Sequence, residues 1–227
     1  MKISMPGRLV LLNGFIGLSA VLAIYAQQLG HSQVFAICKP LTTILVIAVV
    51  LFFGRRSPEP YFYSSLFALL FCLAGDVFLL KESRFLYGLA SFLVAHLLFA
   101  YSFTTLDGWK FYKMPIIILL VIGFGFYGFM YPDLGKLAIP VAVYVLVILL
   151  MSWQGLNLYL WKKYPVFWWI GLGVVLFLIS DSLLAVNKFT YAFSWSGIPI
   201  LTTYWLSIAI LANAGHFLDQ SKDNMPG

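Results

Sequence analysis

The stretches Leu73-Ala74-Gly75-Asp76-Val77-Phe78-Leu79-Leu80 and Leu178-Ile179-Ser180-Asp181-Ser182-Leu183-Leu184-Ala185 decide how this chain is read. Each closes an apolar run of membrane-crossing length, and each carries a lone carboxylate within it. An ionised carboxylate in hydrocarbon costs at least ~3 kcal/mol even on the lenient insertion scale. A chain that keeps two is expected to use them.

Composition agrees with a lipid solvent. The 227 residues are 62% hydrophobic, 18% aromatic and 10% charged, with a mean hydropathy of +0.95. A soluble domain carries about 25% charged residues, so this polypeptide has too little polar surface to face water. Basic side chains outnumber acidic ones, 14 to 8. They are scattered through short loops without forming a stripe, which argues against nucleic acid and for topology determinants and lipid-headgroup contacts. Cys38 and Cys72 both fall in apolar segments and read as small buried side chains. The N-terminal Lys2 and Arg8 before an apolar run mimic a signal peptide, but the run is too long and lacks a cleavage site, so it is read as the first span.

Windows of about 20 apolar residues, the length needed for a ~30 Å core, place eight spans at 9–28, 34–53, 61–80, 85–104, 114–131, 136–160, 165–186 and 198–217. The connectors are short and rich in turn residues, such as Gly54-Arg55-Arg56-Ser57-Pro58 and Asp107-Gly108. The expected fold is an all-α integral membrane protein: one transmembrane helical domain over 1–227, a single bundle of eight helices. Lys2, Arg8, Arg55, Arg56, Lys110, Lys113, Lys162, Lys163 and Lys222 fall on the side of the termini, against Lys39, Lys81, Arg84, Lys136 and Lys188 opposite. Nine against five places both termini in the cytoplasm. Gly123-Phe124-Gly125-Phe126-Tyr127-Gly128 matches G-x-G-x-x-G literally. It lies inside a span with no preceding strand, so it reads as glycines that permit close helix packing.

This topology gathers the polar residues. At 1.5 Å per residue, Asp76 lies roughly 6 Å and Asp181 roughly 7 Å below the non-cytoplasmic ends of their spans. Lys39 and Tyr144 enter from the same side, and His96 sits closer to the midplane. Each has an ordinary alternative: a snorkelling lysine, a packing tyrosine, a histidine bonded to a neighbouring helix, or a structural Lys39–Asp76 pair. Two acids beside one base leave a surplus carboxylate that a structural pair does not explain. Protonating an aspartate at pH 7 costs about 4 kcal/mol, comparable with keeping it charged in lipid. Two such groups side by side are expected to hold one proton between them, giving an acid and an anion.

With these residues placed, the chain resembles the lysoplasmalogenase (YhhN-like) family of multi-span membrane proteins over about residues 10–215. The resemblance rests on Lys39-Pro40, Ala74-Gly75-Asp76, Gly88-x-x-Ser91-Phe92-x-x-Ala95-His96, Pro140-x-x-x-Tyr144 with Met151, and the run from Phe177 through Ser180-Asp181-Ser182 to Asn187-Lys188-Phe189. Phe99, where the family tends to have Tyr, and Ile208, where it often has Gln, are departures that bear on substrate preference. The resemblance implies hydrolysis of the vinyl-ether bond of lysoplasmalogens to a fatty aldehyde and glycerophosphoethanolamine or glycerophosphocholine. It maps the catalytic pair onto Asp76 and Asp181. Lys39, Arg84 and Lys188 lie near the same membrane face as candidate contacts to the lipid phosphate, with ordinary interfacial cations the alternative for Arg84 and Lys188, and His96, Tyr144 and Asn187 are further candidate substrate contacts. A vinyl ether reacts when an acid protonates its β-carbon, which suits one neutral and one anionic aspartate. Sequence leaves open which aspartate is the acid; Ser180 and Ser182, flanking Asp181, favour its anion and tilt the choice toward Asp76. No cofactor or metal is expected, since one His beside two Asp is a thin ligand set. The expected partners are a lysophospholipid substrate and membrane lipids.

Two rival functions use the same aspartates. A proton-coupled transporter lacks support from Gly/Pro-interrupted helices at matched positions of inverted halves. An intramembrane aspartyl protease lacks its Gly-x-Gly-Asp and Pro-Ala-Leu elements. The absence of targeting signals and N-glycosylation acceptors favours a bacterial inner membrane as the host.

Overall fold

The computed structural model describes residues 5–222. Among these are eight α-helices: α1 (Gly7–Gln28), α2 (Ser32–Phe53), α3 (Glu59–Phe78), α4 (Phe85–Asp107), α5 (Lys113–Leu134), α6 (Ala138–Lys162), α7 (Pro165–Ala185) and α8 (Gly197–Lys222). No strand occurs among the described residues. The boundaries fall within a few residues of the expected spans, and the shifts have local causes. Pro60 in the first turn of α3 needs no N–H there and starts the helix early. Polar residues such as Asp107 extend last turns that an apolar window excludes. Lys2 lies outside the described residues, as do the side chains of Lys162 and Lys222.

Seven stretches are long and apolar enough to cross a membrane, because α5 and α6 run on as one stretch, Lys113–Trp161. The chain nevertheless doubles back within it. Pro132 disrupts the last turn of α5, Gly135 adopts φ +51°, and a 3-10 turn Gly135–Leu137 leads into α6. The Tyr127 hydroxyl donates to the Ala138 carbonyl at 3.1 Å at this hairpin end, and Trp153 Nε1 donates to the Tyr112 carbonyl at 3.0 Å at the other. Of the three glycines in the G-x-G-x-x-G run, only Gly123 fits the close-packing reading, since a Cβ there would collide with Leu149 of α6. Gly125 and Gly128 face open space.

Lipid-facing apolar side chains and a buried polar minority give the molecule an inside-out character. Leu11, Leu18 and Val21 of α1 and Ile117, Val121 and Phe124 of α5 are exposed, while Asp76, His96, Thr43 and Asn157 are buried. Helices α1, α2, α3, α4, α6, α7 and α8 pack in a closed circuit, with α8 also reaching inward to α2 and α3. Asn13 and Asn213 exchange side-chain amide bonds at 3.1 and 2.9 Å across α1 and α8, the kind of interhelical polar contact that holds helices together where lipid supplies no hydrophobic drive. Helix α5 stands outside the circuit, against α6 and the π-turn Val186–Thr190 that follows α7. The protein is a multi-pass, all-helical membrane protein.

Helices α3 and α4 approach closely through two glycines. A Cβ on Gly75 would lie 2.5 Å from the Phe92 ring, and one on Gly88 would lie 2.7 Å from Leu79. The missing side chains let the helices close, and Gly75 does so immediately before Asp76. At the corresponding place in α7, Ser180 joins the next helix differently, its hydroxyl donating to the Ile200 carbonyl of α8 at 3.0 Å.

Candidate active site

Asp76 and Asp181 line one cavity of about 270 Å3. Its walls come from the C-terminal ends of α1, α3 and α7 and the N-terminal ends of α2, α4 and α8, so all of it lies at one end of the bundle. Asp76 sits in the last turn of α3, two residues before its end at Phe78, nearer the end than a span to residue 80 implies. Asp181 lies four residues before the end of α7, and the backbone then widens into the π-turn that carries Asn187 and Lys188. Such turns recur at functional sites because they re-aim the side chains that follow.

The two carboxylates have separate partners, and no hydrogen bond joins them. Asp76 is 1% exposed. Its Oδ2 accepts from Thr43 Oγ1 at 2.6 Å and Tyr204 OH at 2.9 Å, and its Oδ1 lies 3.8 Å from Lys39 Nζ. Asp181, with a side chain 11% exposed, accepts from Tyr144 OH at 2.5 Å, and His96 Nε2 stands 3.5 Å from the same oxygen. The serines beside Asp181 serve other partners: Ser180 bonds to Ile200 and Ser182 Oγ bonds back to the Leu178 carbonyl at 2.7 Å. The grounds for reading Asp181 as the anion are therefore absent. It is Asp76 that has the surroundings of an anion, two hydroxyl donors and an ammonium.

An aromatic cluster sets these groups. Phe177, fully buried, meets His96 edge-on at 4.6 Å and Tyr204 at 5.6 Å between ring centroids. Phe92, held by the Gly75 approach, packs perpendicular to Tyr204 at 5.6 Å. His96 in turn meets the Tyr144 ring at 5.3 Å. These contacts fix the two phenols that donate to the two carboxylates.

At the mouth, Lys188 Nζ pairs with Glu82 Oε1 at 2.6 Å and lies 5.2 Å above the Phe85 ring, while Asn187 Oδ1 accepts from the Phe193 amide at 3.2 Å. Lys39, Asn187 and Lys188 line the cavity, and Tyr144 and His96 reach it through Asp181. Arg84 does not join them: it is exposed on the 3-10 turn Glu82–Arg84 and forms no part of the wall. Thr43, Tyr204 and Glu82 were not foreseen. Thr43 follows Lys39 by four residues and so shares its helix face, a signal the sequence did contain. Tyr204 is one aromatic among many in an apolar helix, and nothing local marks it. No group of three or more His, Cys, Asp or Glu placed to hold a metal occurs among the described residues.

The sequence has recognisable relatives. The chain is 29% identical over 186 residues to lysoplasmalogenase TMEM86A of Bos taurus, covering 77% of this chain and 74% of the relative. It is 30% identical over 178 residues to lysoplasmalogenase TMEM86B of Rattus norvegicus, covering 77% and 69%. A lysoplasmalogenase of Mycobacterium bovis is 30% identical over 139 residues, covering 59% of this chain and 51% of the relative. No solved structure matches the chain. The YhhN family profile matches residues 34–214, a range that takes in Lys39, both aspartates, His96, Tyr144 and Tyr204, and the chain belongs to the YhhN family.

Proposed function

We propose that this protein hydrolyses the vinyl-ether bond of lysoplasmalogens, releasing a fatty aldehyde and a glycerophosphoethanolamine or glycerophosphocholine. The observation that carries the reading is the pair of differently partnered carboxylates on one cavity wall, about one turn or less from the ends of their helices. The names of the relatives support the same reaction and favour neither a transporter nor a protease.

Asp181 is the acid and Asp76 the anion in this reading. The Asp181 carboxyl gives its proton to the β-carbon of the enol ether, the π pair forms the new C–H bond, and the α-carbon becomes an oxocarbenium ion. The Asp76 carboxylate, held by Lys39, Thr43 and Tyr204, opposes that positive charge with dipoles already in place. Tyr144 donates to the Asp181 oxygen and steadies the carboxylate left by proton transfer. Water adds to the oxocarbenium carbon and its surplus proton returns to Asp181. The hemiacetal then collapses to aldehyde and glycerol hydroxyl. One water is consumed and both carboxyl groups regain their starting states. Lys39 and Lys188 supply positive charge for the lipid phosphate, with Asn187 beside them.

The same proposal has a single transmembrane domain with eight crossings, the α5–α6 hairpin counting as two, both termini cytoplasmic in a bacterial inner membrane, and the cavity opening to the opposite leaflet. The nine-to-five bias of basic residues supports that orientation. The test is purified protein incubated with 1-alkenyl lysophosphatidylethanolamine, with aldehyde as the readout and an ester-linked lysophospholipid as control. Asp76→Asn and Asp181→Asn each abolish aldehyde release while the protein still inserts and folds; full turnover by either refutes the assignment.

A further inference from the structure

Asp181 borders a second space that the reaction above does not use. An apolar groove runs between α4, α5, α6 and α7, and Phe85, Asp181 and Leu184 line both it and the polar cavity. Its walls include Ile122, Gly123 and Phe126 of α5, Ile148 and Leu149 of α6, and Leu178 of α7. The few polar atoms there are engaged: the Tyr144 hydroxyl bonds to Asp181, and the Ser182 hydroxyl bonds back to Leu178. Along α6 the lining runs from Val141 to Leu149, and along α5 from Ile122 to Met130. Either run amounts to roughly 12 Å at the helical rise. The groove is open to the bilayer because α5 packs on α6 and the π-turn rather than against α4. Ile122, at its edge, is 56% exposed.

We propose that this groove receives the alkenyl chain of the substrate laterally from the bilayer, so that Asp181 meets the lipid at the junction of its polar and apolar parts. The proposal rests on the hydrolase reading and adds to it where the chain lies. With the headgroup in the polar cavity and the chain between α4 and α5, the vinyl-ether bond falls at Asp181, the one carboxylate among the residues common to both spaces. Moving an alkyl chain from lipid into a groove of Leu, Ile and Phe yields no hydrophobic gain, because lipid tails are equally apolar. The groove's contribution is therefore orientation of the β-carbon against the acid. Gly123 sustains the geometry: its lack of a side chain keeps α5 close to α6 and leaves Leu149 on the groove wall.

The test uses a 1-O-alkyl lysophosphatidylethanolamine bearing a diazirine within its chain, which binds but has no vinyl bond to cleave. Photolysis on the full-length wild-type protein is expected to label peptides of α5 and α6 within 122–149. Labelling confined to α1 and α8, which form a separate apolar cavity lined by Ile16, Ala20, Leu206 and Ala209, overturns the proposal. In parallel, Ile122→Trp fills the portal from its lipid-exposed edge, where folding is little affected. It is expected to lower kcat/KM for a long-chain alkenyl substrate by about tenfold or more, the equivalent of a modest overpacking cost, while a 1-propenyl analogue is cleaved at the wild-type rate. Equal rates for both chain lengths, or equal losses for both, refute the groove. Aldehyde release with labelling on α1 and α8 leaves the hydrolase reading intact. Labelling on α5 and α6 without aldehyde from any alkenyl substrate keeps the groove as a lysolipid chain site and removes the hydrolase reading.

Discussion

Tyr144→Phe isolates one hydrogen bond at the acid. The phenol donates to Asp181 Oδ2 at 2.5 Å, and its ring packs against His96 at 5.3 Å in a largely buried site. Phenylalanine keeps the ring and its packing and removes only the donor. A hydrogen bond to a charged group contributes about 1.5–3 kcal/mol. Asp181 becomes charged as it releases its proton, so that contribution is made mainly in the transition state. At 1.36 kcal/mol per decade, kcat should fall about 10- to 150-fold with KM nearly unchanged. The assay is initial-rate aldehyde release in detergent micelles across a range of lysoplasmalogen concentrations, with a melting curve to confirm folding. A variant with wild-type kcat would refute the assignment of Asp181 as the acid steadied by Tyr144. A rise in KM alone would mean that the phenol holds ground-state substrate instead.

Lys39→Met leaves the Asp76 carboxylate without its ammonium in a site 1% exposed. Breaking a buried pair costs about 3–5 kcal/mol, so a clear fall in Tm is expected, and Lys39→Met with Asp76→Asn should recover part of it. Absence of that recovery in a double-mutant cycle argues against a coupled pair. Gly75→Ala puts a methyl group 2.5 Å from the Phe92 ring. Overpacking of about 1–3 kcal/mol should lower stability and displace Tyr204 from Asp76, and Phe92→Leu in the same chain should restore both Tm and turnover. Tyr204→Phe removes one of the two hydroxyl donors to Asp76 and should lower kcat by less than Asp76→Asn does, measured as aldehyde release.

The helices were legible because lipid imposes one strong rule, long apolar runs with internally satisfied backbones, and the chain obeys it with little interruption. Both aspartates were legible for the same reason, as costly exceptions to that rule. Their partners were not. Thr43 costs nothing in a membrane helix, since a threonine hydroxyl can bond within its own backbone, as Thr203 does to Pro199, and Tyr204 is one aromatic among many. Only the tertiary arrangement reveals that Thr43 and Tyr204 point instead at Asp76. The serines misled in the opposite direction: adjacency in sequence placed Ser180 and Ser182 beside Asp181, yet successive residues on a helix face apart, and each hydroxyl bonds elsewhere. In the proposed mechanism the roles of the two carboxylates follow from which neighbouring helix supplies the donors. Helices α2 and α8 supply three polar groups to Asp76, including a cation, whereas α6 supplies one phenol to Asp181 and α4 a histidine. The two Asp-bearing stretches of α3 and α7 acquire unequal chemistry because their surroundings are unequal. The asymmetry continues into the lipid-facing side: Asp181, the less heavily partnered acid, is also the one that borders the apolar groove. A proton donor for a carbon at the head of an alkyl chain has to stand where the polar cavity meets the hydrocarbon, and of the two carboxylates Asp181 occupies that place.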